Sequence, residues 1–161
     1  MNSKIKITTI QTEYRGKSMF ERMAQELLIE ETFSDMDGSG TIETTLYGDI
    51  KISDKDYTLS YEEVEESGLG KTETVLKFCL DTPNEISLSR TGEISSYMYF
   101  EEKKRHICVY DSGIIPFEIC IYTRSIDNRL ISDGFLEIEY IIEIKGACAQ
   151  KTVLRMEAKS L

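Results

Sequence analysis

The segment TETVLKFCLDTPNEISLSRTGEISSYMYFEE, residues 72–102, decides the fold. Apolar and polar side chains alternate in it with a period of two, which is typical of β-strands that have one buried face. The turn sequences DTPN (81–84) and RTG (90–92) interrupt this alternation twice. Because such turns are short, the segment predicts three strands that follow one another in antiparallel order.

The same alternation continues on both sides of this segment. No helical pattern separates the strands after residue 40, so crossovers between parallel strands are unavailable and the sheet should be antiparallel. The sequence therefore predicts an all-β fold, an up-and-down barrel of about eight to ten strands. A β-sandwich is the alternative, but closure removes the exposed edges of a long meander. The flanking strand segments are KIKITTIQT (4–12), TIETTLYGDIKI (41–52), YTLSYEE (57–63), HICVY (106–110), IIPFEICIYTRS (114–125), FLEIEYIIEIKG (135–146) and QKTVLRMEA (150–158).

One segment before residue 40 has a different period. SMFERMAQELLIEETF (18–33) begins with Ser18 and Glu21 in the spacing of a capping box. Its apolar residues share one helical stripe, which predicts an N-terminal helix at about 18–33 that packs against the barrel. At 161 residues, the chain is expected to form a single domain over 1–161. The stripe consists of Phe20, Met23, Ala24, Leu27 and Leu28.

The composition limits the classes of partner. The formal net charge of −10 argues against nucleic acid and anionic membranes, where basic side chains supply most of the affinity. The first residues, MNSKIKITTIQTEY, contain no apolar run typical of a signal peptide or membrane anchor. None of the four cysteines stands in a Cys-x-x-Cys pair, so we expect reduced thiols in a cytoplasmic protein with no metal or cofactor.

The stretch SDMDGSG (34–40) resembles the first half of a calcium-binding loop. With Asp35 at position 1, ligand position 12 falls on Leu46, where such a loop needs a bidentate glutamate. The residues after Gly40 alternate as a strand, so the exiting helix of a calcium loop is missing. We expect a glycine-rich turn here and no calcium site, with a weak surface site through Asp35 and Asp37 as the alternative.

Two further motifs suggest chemistry that their surroundings do not support. GLGKT (68–72) hints at a phosphate-binding loop, but Glu65 stands where that loop needs its first glycine, and a strand follows. His106, Asp111 and Ser112 hint at a catalytic triad, which is defined by geometry and not by closeness in sequence.

The outer faces of two strands also carry titratable groups. His106 alternates with Ile107 and Val109, which are expected to face the core, so His106 should face solvent. The acidic residues of the strand at 135–146 lie opposite its apolar face, where they are expected to be solvated and not to act as paired catalytic carboxylates. We find no catalytic constellation and expect a non-enzymatic protein. These acidic residues are Glu137, Glu139 and Glu143.

Four stretches in order carry a family resemblance: LSYEEVEESGLGKTETVLKF (59–78), LSRTGEISSYMYFEE (88–102), PFEICIYTR (116–124) and FLEIEYIIEIKG (135–146). They resemble the YwiB-like family of small bacterial proteins of unknown function over about residues 42–158. The resemblance implies a calycin-like barrel, related in shape to lipocalins, and no established activity. The helix at 18–33 and the stretch DSGIIP (111–116) depart from the family pattern. The matching positions are Tyr61, Glu62, Glu63, Gly68, Thr74, Arg90, Gly92, Phe100, Thr123 and Tyr140.

The inward face of the barrel offers the best candidate site. A barrel of about eight strands is just wide enough to be filled by side chains or to hold one small ligand. We therefore expect a small, largely apolar ligand in the lumen; the alternative is a filled barrel that binds a protein partner through its helix or its acidic surface. The lumen candidates are Tyr61, Glu63, Thr74, Arg90, Phe100, Thr123 and Tyr140.

Two charged residues are predicted to meet inside the barrel. Glu63 continues the inward series of one strand and Arg90 that of another, and both strands flank the strand of Thr74 in the same direction. Two inward charges at one end of a barrel are tolerable only if they are paired. The sequence thus predicts an ion pair, with recognition of an anionic head group by Arg90 as the functional alternative.

Overall fold

The computed structural model describes residues 2–13, 39–64, 69–111, 116–144 and 147–160. Within these residues the chain forms ten strands, and each is antiparallel to both of its neighbours. The last strand pairs with the first, so the sheet closes into the predicted up-and-down barrel. The strands are β1 (Asn2–Glu13), β2 (Ser39–Ile52), β3 (Asp56–Glu62), β4 (Thr72–Cys79), β5 (Thr82–Gly92), β6 (Ser95–Glu101), β7 (Arg105–Asp111), β8 (Phe117–Arg129), β9 (Phe135–Ile144) and β10 (Ala147–Ser160).

The predicted fold class is wrong in one respect. It combined the barrel with an N-terminal helix, whereas every regular element in the described residues is a strand. The segment 18–33 itself lies outside those residues. The helix was inferred from a local period alone, and pairing of β1 with β10 closes the sheet without a helix to cover an edge. In the described part of the chain no helix is long and apolar enough to cross a membrane.

Three rows of side chains stack inside the barrel where β3 to β6 run side by side. Directly opposite residues point to the same face, so the register brings them together. A large apolar side chain buried in this way stabilises the fold by about 1.5–3 kcal/mol. The rows are Tyr57, Phe78, Ile86 and Phe100; then Leu59, Leu76, Leu88 and Met98; then Tyr61, Thr74, Arg90 and Ser96.

The predicted inward face of β7 is wrong. Cys108 and Tyr110 are buried, whereas Ile107 and Val109 face outward with 71% and 52% of their surface exposed. Both faces of this strand carry apolar residues, so alternation alone does not define which face is buried. The register with β8, which sets Cys108 opposite the buried Ile119, decides it.

The two ends of the barrel differ in their connections. The turns that join β2 to β3, β4 to β5, β6 to β7 and β8 to β9 lie at one end, together with both ends of the chain, and we call it the turn end. The β3–β4 connection lies at the other end, which we call the β3–β4 end. Gly70 there has a φ of +66°, which glycine adopts readily, while Gly68 lies outside the described residues.

Gly92 ends β5 in a conformation that only glycine adopts readily, with a φ of +137°. A Cβ atom at this position would also collide with the backbone carbonyl oxygen of Lys71. We expect Gly92→Ala to lower the free energy of unfolding by about 1–3 kcal/mol, as measured by urea denaturation. Thr91→Ala, an exposed neighbour on the same strand, is the control and should change it by less than about 0.5 kcal/mol. Equal stability of the two variants would contradict this expectation.

Candidate functional site

A row of polar and small residues crosses the inner wall of seven strands. Each member lies opposite the next in the strand register, and the row passes from β1 to β7. Arg90 is the charged residue of this row and stands between Thr74 on β4 and Ser96 on β6. The rest of the inner wall is mainly apolar, so this row concentrates the hydrogen-bonding groups of the lumen. The polar row consists of Ser3, Gly48, Tyr61, Thr74, Arg90, Ser96 and Tyr110.

The predicted pair of charges is present, with Arg90 in this row and Glu63 just beyond the end of β3. Arg90 Nε lies 3.8 Å from Glu63 Oε1, and only 18% and 6% of the two side chains are exposed. The same carboxylate oxygen accepts a hydrogen bond from the Thr74 hydroxyl at 2.5 Å. Thr74 therefore holds the carboxylate, while Arg90 balances its charge from beyond hydrogen-bonding distance.

Three buried tyrosines surround this pair of charges. Burial raises the pKa of Tyr61 well above its ordinary value; the Glu63 charge raises it further, and the Arg90 charge opposes the rise. Burial also raises the pKa of Tyr110 and of Tyr140, again against the charge of Arg90. Tyr61 and Tyr110 share the polar row with Arg90 and Tyr140 lies on β9, so phenols from three strands line the lumen near the guanidinium.

A second polar row faces the first from β8 to β10. Thr123 lies opposite Tyr140, and Tyr140 lies opposite Thr152. The Tyr140 ring packs on Phe100 with 4.9 Å between ring centroids, which connects this row to the apolar part of the lumen. The seven lumen candidates therefore line one contiguous region.

Several buried polar atoms in this region have no hydrogen-bond partner among the described residues. They include Arg90 Nε, Ser96 Oγ and Thr123 Oγ1. A buried donor or acceptor that is left unsatisfied costs about 1–3 kcal/mol. A bound molecule with acceptor oxygens would recover part of that cost, so the arrangement is suited to holding a polar group.

An acidic cleft of about 690 Å³ opens beside Glu63 at the β3–β4 end. Lys71 is its basic residue; the backbone N–H of Lys71 donates a hydrogen bond to the Glu93 carboxylate. The cleft borders the polar row and reaches Glu63, but most of its lining residues are exposed, so it is a feature of the barrel's rim. Its lining includes Glu62, Glu63, Glu73, Glu93, Thr72 and Thr91.

The other titratable groups singled out from the sequence do not converge with this region. His106 is half-buried and lies 3.1 Å from Glu101 Oε1, not fully in solvent as predicted. His106 and Asp111 stand near opposite ends of β7, roughly 17 Å apart along the strand, and Ser112 lies outside the described residues. Glu137 pairs with Arg155 at 2.7 Å on the outer face of neighbouring strands. Glu139 and Glu143 likewise pair with Lys151 and Arg105.

The calcium-like stretch is only partly described. Asp35 and Asp37 lie outside the described residues, whereas Glu43 lies on β2 and pairs with Lys6 at 2.6 Å. Leu46 is buried in the core. Across the described ranges, no group of three or more His, Cys, Asp and Glu side chains is arranged to hold a metal ion.

Four members of the polar row were not among the sequence candidates: Ser3, Gly48, Ser96 and Tyr110. Ser96 shares the inward phase of Met98 and Phe100 on β6, so strand phase could have revealed it. Tyr110 was missed because the face of β7 was assigned wrongly, and no local signal corrects that assignment.

The buried phenols predict how stability depends on pH. Burial raises the pKa of Tyr57 from 10.0 to about 12. Between these two values the folded state keeps the Tyr57 proton while the unfolded state has lost it. The free energy of unfolding therefore keeps its full value below about pH 10 and falls as pH rises through about 12. We expect the free energy of unfolding to decrease steeply over that interval, and Tyr57→Phe to make the decrease shallower. Ultraviolet titration in which every tyrosine ionises near pH 10 while the barrel stays folded would contradict this.

Comparison with known proteins supports the fold and the predicted resemblance. The crystal structure of ywiB protein from Bacillus subtilis matches with a TM-score of 0.67, covering 99% of this chain and 94% of that chain. The two sequences are 19% identical, so this likeness shows the fold alone. No curated protein matches the chain. A family model described as "Domain of unknown function (DUF1934)" matches residues 28–156, most of the chain. The chain therefore belongs to the DUF1934 family, a family of unknown function with a barrel fold.

Proposed function

We propose that this barrel binds a small, largely apolar molecule in its lumen and holds a polar group of that molecule at Arg90. The observation that carries the proposal is the set of buried polar atoms around Arg90 that lack hydrogen-bond partners among the described residues. Apolar walls with a few convergent polar groups are typical of small-molecule sites. The layered rows of β3 to β6 have this character, with aromatic and aliphatic side chains toward the turn end and the polar row toward the other.

The charge of the site favours an uncharged ligand. Glu63 already balances Arg90 at 3.8 Å, so an added carboxylate would leave the region with a net negative charge. A buried charge without a partner is costly, whereas a carbonyl or hydroxyl oxygen can accept hydrogen bonds without that cost. The ligand class we propose is therefore a neutral apolar molecule with one or more acceptor oxygens.

Two further parts of the proposal, the lack of catalysis and the cellular location, rest on separate features. The protein is proposed to act without catalysis, because His106 and the described acidic residues singled out from the sequence each pair with a neighbour of their own instead of converging on one another. A cytoplasmic location is proposed because Cys79, Cys108 and Cys120 are free thiols, as is usual in a reducing compartment.

Fluorescence titration with two dyes tests the proposal. Nile red is uncharged and has a carbonyl acceptor, whereas 1-anilinonaphthalene-8-sulfonate is an anion. We expect saturable binding of one Nile red per chain and weaker binding of the anionic dye. Tighter binding of the anion would instead support recognition of an anionic head group by Arg90.

Two substitutions locate the dye in the lumen. Thr123→Val and Ser96→Ala remove buried hydroxyls that have no partner in the described part of the chain, so neither should lower the free energy of unfolding. Each should weaken Nile red binding about fivefold, the equivalent of about 1 kcal/mol for one hydrogen bond. Thr58→Val, which makes the same change on an outward position of β3, should leave binding unchanged. Absence of saturable binding, or equal affinity in all variants, would contradict a lumen site.

The acidic cleft favours a second candidate function. Its carboxylates, in a protein with a net charge of −10, would attract a basic segment of a protein partner. Under this alternative the lumen is simply filled, and Nile red should show no saturable binding that depends on Thr123 or Ser96. Glu73→Gln and Glu93→Gln would then weaken the partner complex, and the weakening should diminish at high salt.

A further inference from the structure

The wall of the barrel has a seam between β6 and β7. The ladder joins these strands only at Ser95–Asp111 and Ser96–Tyr110, although both strands continue toward the turn end. Every other neighbouring pair of strands in the described ranges shares at least five ladder positions. The seam therefore runs from these two pairs to the β6–β7 turn.

Side chains bridge the seam where the backbone ladder is missing. The backbone N–H of Tyr97 lies by the thiol of Cys108 and opposes the rise in thiol pKa that burial causes. Nearer the turn, His106 Nε2 lies 3.1 Å from Glu101 Oε1, and the edge of its ring meets Tyr99. Such contacts are weaker than a continuous backbone ladder and can be broken by side-chain rotation.

Apolar side chains lie on both sides of the seam. Outside, Tyr97, Ile107 and Val109 expose 57%, 71% and 52% of their surface. Inside, Met98 and Cys108 are buried against the lumen. Methionine is unbranched with several rotatable bonds, and cysteine is small. This part of the inner wall can therefore rearrange more easily than a wall of branched side chains would.

We propose that the β6–β7 seam is the portal through which an apolar ligand enters the lumen, with Tyr97, Ile107 and Val109 as its landing surface. The inference rests on the proposed function. A largely apolar molecule partitions onto exposed apolar surface, and here that surface adjoins the part of the wall with the least backbone pairing. Opening the seam breaks side-chain contacts and leaves the other ladders of the barrel intact.

A chemical clamp across the seam tests the portal. If the register of Ser96–Tyr110 is continued, position 97 faces position 109 on the outer surface. Tyr97→Cys and Val109→Cys are combined in a protein whose native cysteines have been replaced, and the pair is joined with a short bismaleimide. We expect the clamp to slow both association and dissociation of Nile red at least tenfold in stopped-flow fluorescence. The dissociation constant should change little, because the route of entry does not alter the bound state.

The matched control is a clamp between β4 and β5. Lys77 and Ser87 are register partners on the outer face of a continuous ladder, so Lys77→Cys with Ser87→Cys, joined in the same way, should leave both rates unchanged. Equal rates for the seam clamp and this control would overturn the portal. If the unclamped protein binds no Nile red, the proposed function and the portal fall together; binding with unaltered rates rejects the portal alone.

A single substitution provides a second measurement that needs no cross-link. Ile107→Ser removes apolar landing surface without touching the lumen and should slow Nile red association several-fold. Ile131→Ser changes an isoleucine with 57% exposure beyond β8 and should leave association unchanged. Equal association rates for the two variants would contradict the landing surface.

Discussion

Arg90→Met is expected to lower the free energy of unfolding by about 3–5 kcal/mol, because it leaves the Glu63 carboxylate buried without its counter-charge. The Thr74 hydroxyl still donates one hydrogen bond to that carboxylate, but a hydroxyl does not neutralise its charge. Glu63→Gln should also be strongly destabilising, because it leaves the Arg90 guanidinium without its balancing charge. Urea denaturation at neutral pH measures both effects.

A double-mutant cycle separates the pairing from the packing of the two side chains. The variant with both substitutions should lose less stability than the sum of the two single losses, since it contains neither orphaned charge. Lys51→Met, which removes a largely exposed cation on β2, is the control and should cost less than about 0.5 kcal/mol. Strict additivity of the two lumen substitutions would show that Glu63 and Arg90 do not stabilise each other.

Phe100→Ala is expected to cost about 3–5 kcal/mol of unfolding free energy. The Phe100 side chain is fully buried and packs on the Tyr140 ring, so its removal leaves a cavity at the junction of the apolar and polar parts of the lumen. Tyr97→Ala removes an aromatic ring from the exposed face of the same strand and should cost about 0.5 kcal/mol or less. The difference between the two variants in urea denaturation isolates the contribution of the lumen.

The Phe100 result also tests how the lumen is packed. A cost below about 1 kcal/mol would mean that the wall collapses readily around the missing ring or that the ring is poorly packed. Either outcome would contradict a closely packed apolar layer behind the polar row. If the lumen binds Nile red as proposed, the enlarged variant should still bind it, because Thr123 and Ser96 are unchanged.

The sequence by itself determined the strands and most of their faces. Alternation and short turns act between neighbours in the chain, so the inward positions of β3 to β6 could be assigned from the sequence alone. The same local phase placed Glu63 and Arg90 at one end of the lumen, beside Thr74, where they are found 3.8 Å apart. The resemblance to a family of unknown function pointed to the same barrel.

Only the tertiary structure decided how distant strands meet. The face of β7 depends on its register with β8, because both of its faces carry apolar residues. The row of Thr123, Tyr140 and Thr152 faces Arg90 only because β10 pairs with β1 and closes the sheet, which brings β8 to β10 opposite β5. Register and closure are settled by hydrogen bonds and packing between residues far apart in the chain, and no local pattern of residues contains that information.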